Sequence, residues 1–101
     1  MREIVWSASA LVDMDGLASY IAADNPVAAL RVLGQIDAAV ERLAHTPIGR
    51  RGRVTGSYEK PVPRLPYIIA YAVQPGPIDE RIVILRIIHG TRNWPEGEWP
   101  K

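Results

Sequence analysis

Glu3-Ile-Val-Trp6 places branched and aromatic residues together at the start of the chain, a composition that suits a pleated, half-buried surface and predicts a short first strand. Apolar residues then fall at Leu11, Met14, Leu17 or Ala18, and Ile21. These steps of three and four predict a helix, with Ser7 or Ser9 available as its N-cap. Gly16 weakens that helix by about 1 kcal/mol relative to alanine. Asp24-Asn25-Pro26 restarts the helical pattern, because Asn25 can cap and Pro26 fits the first helical position. Ala29, Leu33, Ile36, Val40 and Leu43 carry the second helix to about Ala44, and Pro47 and Gly49 close it. Two helices joined so tightly predict an antiparallel hairpin.

After Gly49 the period changes. Arg50-Arg-Gly-Arg53 reads as a basic loop, Val54-Thr55 begins an extended segment, and Gly56 bends it before Ser57 to Val62. Pro61 and Pro63 make that stretch a poor central strand, since neither can donate to a ladder. Tyr67-Ile-Ile-Ala-Tyr-Ala-Val73 is a strong strand, Pro75-Gly-Pro77 turns the chain, and Arg81 to His89 is a second strong strand. The order is β-α-α-β-β-β, an α+β layout. Strict alternation in the last strand puts Ile82, Ile84, Arg86 and Ile88 on one face and Val83, Leu85, Ile87 and His89 on the other. Both faces are apolar, yet only one helical layer is available. Either the sheet curls over its own hairpin or its second face awaits a partner.

Composition bounds the remaining possibilities. The 101 residues are 48% hydrophobic and 23% charged, values for one globular domain spanning 1–101. No apolar run approaches the ~18 residues that span a bilayer, and the first residues lack a leader signature, so a cytoplasmic protein without membrane contact is expected. The absence of cysteine removes disulfides, thiolate nucleophiles and Cys-based zinc sites. His45 and His89 are too few for a His-only zinc site, so neither metal nor cofactor is expected. The net charge of +1 hides an asymmetry: residues 1–48 carry three arginines against six acids, and residues 49–101 nine basic residues against five acids. A basic surface, if formed, belongs to the C-terminal half.

No catalytic motif of high specificity is present. Gly49-Arg-Arg-Gly52 is too short for a phosphate loop and has no Lys-Ser/Thr after it. The serines lie outside any Gly-x-Ser-x-Gly elbow, and His45 suits the C-terminal dipole of its helix. His89 sits within Arg86-Ile-Ile-His-Gly-Thr-Arg92-Asn-Trp94-Pro95. Two arginines flanking a histidine near a tryptophan could bind phosphate and stack a base, with the histidine as acid or base. The plainer reading, which these residues alone favour, has His89 and Trp94 pack the end of the sheet while the arginines are solvated.

Three stretches carry a family resemblance: Trp6 followed by Tyr20-Ile-Ala-Ala-Asp-Asn-Pro-Val-Ala-Ala29; Pro47-x-Gly49-Arg50-x-Gly-Arg53-Val54; and Pro66-Tyr-Ile-Ile-Ala-Tyr71 with Ile84-Leu-Arg86-Ile-Ile-His-Gly-Thr-Arg92-Asn-Trp94. Together they resemble the ParE branch of the ParE/RelE toxin superfamily, the toxins of type II toxin-antitoxin modules. The resemblance implies a helical hairpin packed on a small antiparallel sheet. It also implies a cognate antitoxin, ParD-like and of ribbon-helix-helix type, that wraps the toxin in a hetero-oligomer and pairs with its arginines. The antitoxin's other domain binds the module's promoter, so DNA is reached only indirectly.

The target divides the superfamily: ParE-type members inhibit DNA gyrase, and RelE-type members cleave messenger RNA in the ribosome. Pro66-Tyr67-Ile68-Ile69 lacks the arginine that several RelE-type nucleases have there, and Tyr58-Glu59-Lys60-Pro61-Val62 departs from both patterns. The expectation is therefore a gyrase inhibitor. Arg86, His89, Arg92 and Trp94 are expected to act on the target, and Arg50, Arg51, Arg53, Tyr67 and Tyr71 to contact the antitoxin. The alternative is a ribosome-dependent endoribonuclease using His89, Arg86 and Glu59. A third reading is an inactive member that only binds its partner and regulates transcription.

Overall fold

The computed structural model describes residues 2–90. Strand β1 (Glu3–Trp6) is followed by helices α1 (Ala8–Ala22) and α2 (Pro26–Arg42), then by strands β2 (Arg50–Arg51), β3 (Tyr58–Pro61), β4 (Tyr67–Pro75) and β5 (Glu80–His89). Capping residues set both helix starts. Ser7 Oγ accepts from the Ala10 N–H at 3.1 Å, and Asn25 Oδ1 accepts from the Ala28 N–H at 3.1 Å with Pro26 just behind it, each satisfying an orphan donor of the first turn. At the far end of α2, the Arg2 guanidinium donates to the carbonyls of Leu43 and Thr46 and pairs with Glu80. A cation is favourable there, and this one ties the helix end to the start of β5. No described helix is long and apolar enough to cross a membrane.

The sheet order is β1-β5-β4-β3-β2. Strands β2 to β5 are mutually antiparallel, whereas β1 lies parallel to β5, so the sheet is mixed. Hydrophobic alternation specifies which side chains face inward but not which way a strand runs. The helical hairpin between β1 and the rest of the sheet brings the chain back in the same direction. Arg50–Arg51, expected as loop, forms a two-residue strand on Tyr58 and Glu59. Pro61 is tolerated at the end of β3 because β2 does not reach it.

The core lies between one face of the sheet and the hairpin. Ile36, Ala39 and Val40 of α2, with Leu43 at its C-cap, meet Ile69, Tyr71, Ile82, Ile84 and Ile87. Tyr71 is wholly enclosed, stacked on Tyr58 with ring centroids 5.7 Å apart, and its hydroxyl accepts from the Gly49 N–H at 2.8 Å.

The two faces of β5 do not follow strict alternation. Tyr71 pairs with Ile84 and Ala70 with Arg86, so Leu85 is an extra residue, a β-bulge. Beyond it the phase reverses, which puts Ile87 in the main core with Ile82 and Ile84, while Ile88 joins Ala70 in a separate small cluster. The bulge sits where β1 ends, since Trp6 pairs with Ile84. Ser7 closes the exposed edge there: its N–H donates to the Ile84 carbonyl at 2.9 Å, and its Oγ donates to the Leu85 carbonyl at 3.0 Å. One serine thus caps α1 and holds the bulge. Ser7→Ala is expected to lower stability by about 1–2 kcal/mol, while exposed Ser9→Ala stays within about 0.5 kcal/mol. Paired urea denaturation curves would check this, and equal midpoints for the two variants would refute it.

Candidate functional site

A cavity of about 560 Å³ opens between α1 and the adjoining ends of β4 and β5. Helical spacing brings Val12, Asp13, Gly16, Leu17 and Tyr20 to one wall, and Tyr67, Arg86, Ile87, Ile88 and His89 form the other. The register places Tyr67 opposite His89, and their rings meet edge to face at 5.4 Å. Burial, reinforced by Tyr20, raises the Tyr67 phenol above its ordinary value, so it stays protonated as a donor through the neutral range. Val12 and Tyr20 are largely exposed at the rim, and Leu11, Val27 and Leu30 add further exposed apolar surface on the two helices.

Asp13 holds the polar centre of this wall. Its Oδ2 accepts from Arg86 Nε at 2.8 Å and from the Ile87 N–H at 2.9 Å, and its Oδ1 accepts from Arg86 Nη2 at 3.2 Å. Both side chains are largely enclosed, Arg86 24% and Asp13 17% exposed. Arg86 follows the bulge at Leu85 and reaches Asp13 along the β5 edge beyond the end of β1, and the carboxylate also closes that edge by accepting the Ile87 N–H. Sequence reasoning missed Asp13 because its partner is 73 residues away. A signal was present: Asp13 is an acid inside an otherwise apolar helical face.

The residues expected from sequence fall into separate groups. Arg86 and His89 line the cavity together with Tyr67, whereas Arg92 and Trp94 lie outside the described residues. Arg50 and Arg51 stand at the opposite edge of the sheet on β2, with exposed Arg53 just after them. Tyr71, expected to touch an antitoxin, has no exposed surface and serves the core instead. Glu59 pairs in register with Ala70, and His89 pairs with Tyr67. Ala70 and Tyr67 are three positions apart on β4, an odd step, so Glu59 and His89 belong to opposite faces of the sheet. Glu59 is buried, accepting the Arg53 N–H at 2.8 Å. It fills the loop so tightly that a Cβ at Gly52 would collide with Ser57 Oγ and lie 3.2 Å from the carboxylate. His89, Arg86 and Glu59 therefore do not converge on one reacting atom, and no group of three or more His, Asp or Glu side chains suited to hold a metal ion occurs among the described residues.

Comparison with known proteins adds a family. Residues 4–94 match the family model described as the ParE toxin of the type II toxin-antitoxin system parDE. Among curated proteins, the toxin-assigned Y4kP of Sinorhizobium fredii is 36% identical over 94% of this chain and 95% of its own length. Toxin RelE2 of Caulobacter vibrioides is 34% identical over 91% of this chain and 99% of its own. A chain of the chromosomal ParDE toxin-antitoxin system from P. aeruginosa superposes with a TM-score of 0.74 at 26% identity, covering 86% of this chain and 94% of that one.

Proposed function

This chain belongs to the ParE toxin family of type II toxin-antitoxin systems, and on that premise we propose that it inhibits DNA gyrase by binding and is neutralised by a cognate ParD-like antitoxin. The observation that carries a binding mode over catalysis is the dispersal of the candidate acid-base groups. Glu59 is buried under its own loop, Arg86 is held by Asp13, and His89 lies on the other face from Glu59. General acid-base cleavage needs such groups within hydrogen-bond reach of one site. The surface around the cavity instead resembles a protein-docking surface: exposed Val12 and Tyr20, half-buried Tyr67 and a rim containing Arg86 and His89. We assign antitoxin contact to Tyr67 and the α1 wall, and target contact to Arg86 and His89 with Arg92 and Trp94.

The second reading, cleavage of messenger RNA at the ribosome, rests on the 34% identity to a protein named Toxin RelE2. Inducing the chain without antitoxin and pulse-labelling nucleic acid and protein separates the two. The gyrase reading expects DNA synthesis to stop first, with cleaved gyrase–DNA complexes accumulating while translation continues. Immediate collapse of translation with cut messengers would replace it with the nuclease reading.

A further inference from the structure

Charge on this protein is strongly segregated once the described residues are placed on the fold. Residues 50–64 hold five basic side chains and one acid, while the rest of residues 2–90 hold five basic side chains and eight acids. Outside that stretch three of the five arginines are engaged internally, Arg2 with Glu80, Arg81 with Glu3 and Arg86 with Asp13, and the other two, Arg31 and Arg42, stand exposed on α2 among its acids Asp37 and Glu41. Within it, Arg51, Lys60 and Arg64 are all exposed and have no ion-pair partner among the described residues. The one acid, Glu59, is buried and turned to the Arg53 backbone, with Arg50 at 4.0 Å.

The sheet puts two of these cations on one face, and the turn that follows carries the third. Arg51 pairs in register with Tyr58 on the outermost strand. Lys60 follows two residues along β3 on the same face, a step of about 7 Å. Arg64 follows, exposed, in the β3–β4 turn, where its φ of 65° is a conformation that a glycine or asparagine adopts more readily. Backbone held in a disfavoured region marks a position whose side chain is worth a functional test.

This edge differs in kind from the apolar cavity wall. Its exposed side chains are cations and prolines, without the buried apolar centre of a protein interface. Its one aromatic ring, Tyr58, already has one face stacked on Tyr71, so the edge lacks the run of open rings on which successive unpaired bases stack. We propose that the β2–β3 edge, through Arg51, Lys60 and Arg64, binds the phosphate backbone of duplex DNA directly. Arg50 and Arg53 add their charge to the same field. The toxin then touches DNA itself and not only through its antitoxin. This stands apart from the gyrase assignment, because neither gyrase nor antitoxin is needed to test it.

The test is fluorescence anisotropy of the full chain on a random-sequence duplex of about 20 base pairs, between about 50 and 200 mM salt. Three phosphate contacts predict a slope of log affinity against log salt of about −2.7. Arg51→Gln/Lys60→Gln/Arg64→Asn, in which asparagine tolerates the left-handed turn, is expected to bind at least about tenfold more weakly at the lowest salt and to lose most of that slope. Arg51→Lys/Arg64→Lys keeps both. Should the triple variant fail to fold, Arg51→Gln/Lys60→Gln leaves the turn intact and is expected to flatten the slope by about 1.8. Any of four results would overturn the proposal: no binding by the wild type at the lowest salt, equal binding by the charge-removed variants, tighter binding of single-stranded RNA than of duplex, or a loss confined to antitoxin affinity.

Discussion

Asp13→Ala should destabilise the protein by about 2–4 kcal/mol, far more than a helix-surface substitution. One carboxylate serves two donors of Arg86 and the Ile87 N–H. Its removal takes a carboxylate from a largely enclosed guanidinium and its acceptor from a strand amide, and an unmet buried group costs more than the bond itself contributes. Arg86→Met keeps the aliphatic stem and removes the cation. Combined with Asp13→Ala it should restore part of the loss, giving a coupling of about 1–3 kcal/mol in a double-mutant cycle. Additive single effects in urea denaturation would show that the pair contributes nothing and that Asp13 acts only as an edge cap. The same cycle bears on activity. If Arg86 reaches the target from the position in which Asp13 holds it, Asp13→Asn should weaken toxicity even where the folded fraction is unchanged.

Tyr71→Ala is the more damaging core change, with an expected cost of about 3–5 kcal/mol. On a domain whose whole stability is of order 5–15 kcal/mol, it should lower Tm by at least about 12 °C. The ring has no exposed surface, stacks on Tyr58, and anchors the segment leading into β2 by accepting the Gly49 N–H. Gly49 is close enough to that hydroxyl that a Cβ would stand 3.0 Å from it. Tyr71→Phe isolates the hydrogen bond. It should cost about 1–2 kcal/mol, accelerate hydrogen exchange at Gly49, and leave antitoxin affinity unaltered. Unchanged exchange at Gly49 would show that the hydroxyl does not anchor this loop, and a selective loss of antitoxin affinity would return Tyr71 to the interface.

Much of this fold was legible because its signals are local. The Ser7 and Asn25-Pro26 starts depend on residues within one helical turn, β4 lies between Pro66 and Pro75, and β5 begins just beyond the Pro75-Gly-Pro77 turn. The family resemblance was legible for the same reason: its motifs are contiguous stretches. Sequence alternation on β5 failed beyond Ile84 because a single extra residue, Leu85, reverses the phase of every side chain after it. A bulge is a property of two paired strands, so one strand read alone does not reveal it.

The candidate site divides along the same line. Arg86, His89 and the basic run from Arg50 to Arg53 were visible as chemistry on one segment each. Whether they act together depends on distances between segments. Only the tertiary structure gives Arg86 to Asp13, puts Glu59 and His89 on opposite faces, encloses Tyr71, and moves the arginines of β2 to the edge farthest from β1. By itself the sequence determined both helices, the longer strands, their order and the family, because backbone preference and hydrophobic period act over a few residues; the two-residue β2 exists only through its pairing with β3. The pairings that make or exclude a site were decided by strand register, by one bulge and by contacts up to 78 residues apart, where a residue's environment comes from chain that its own neighbourhood does not encode.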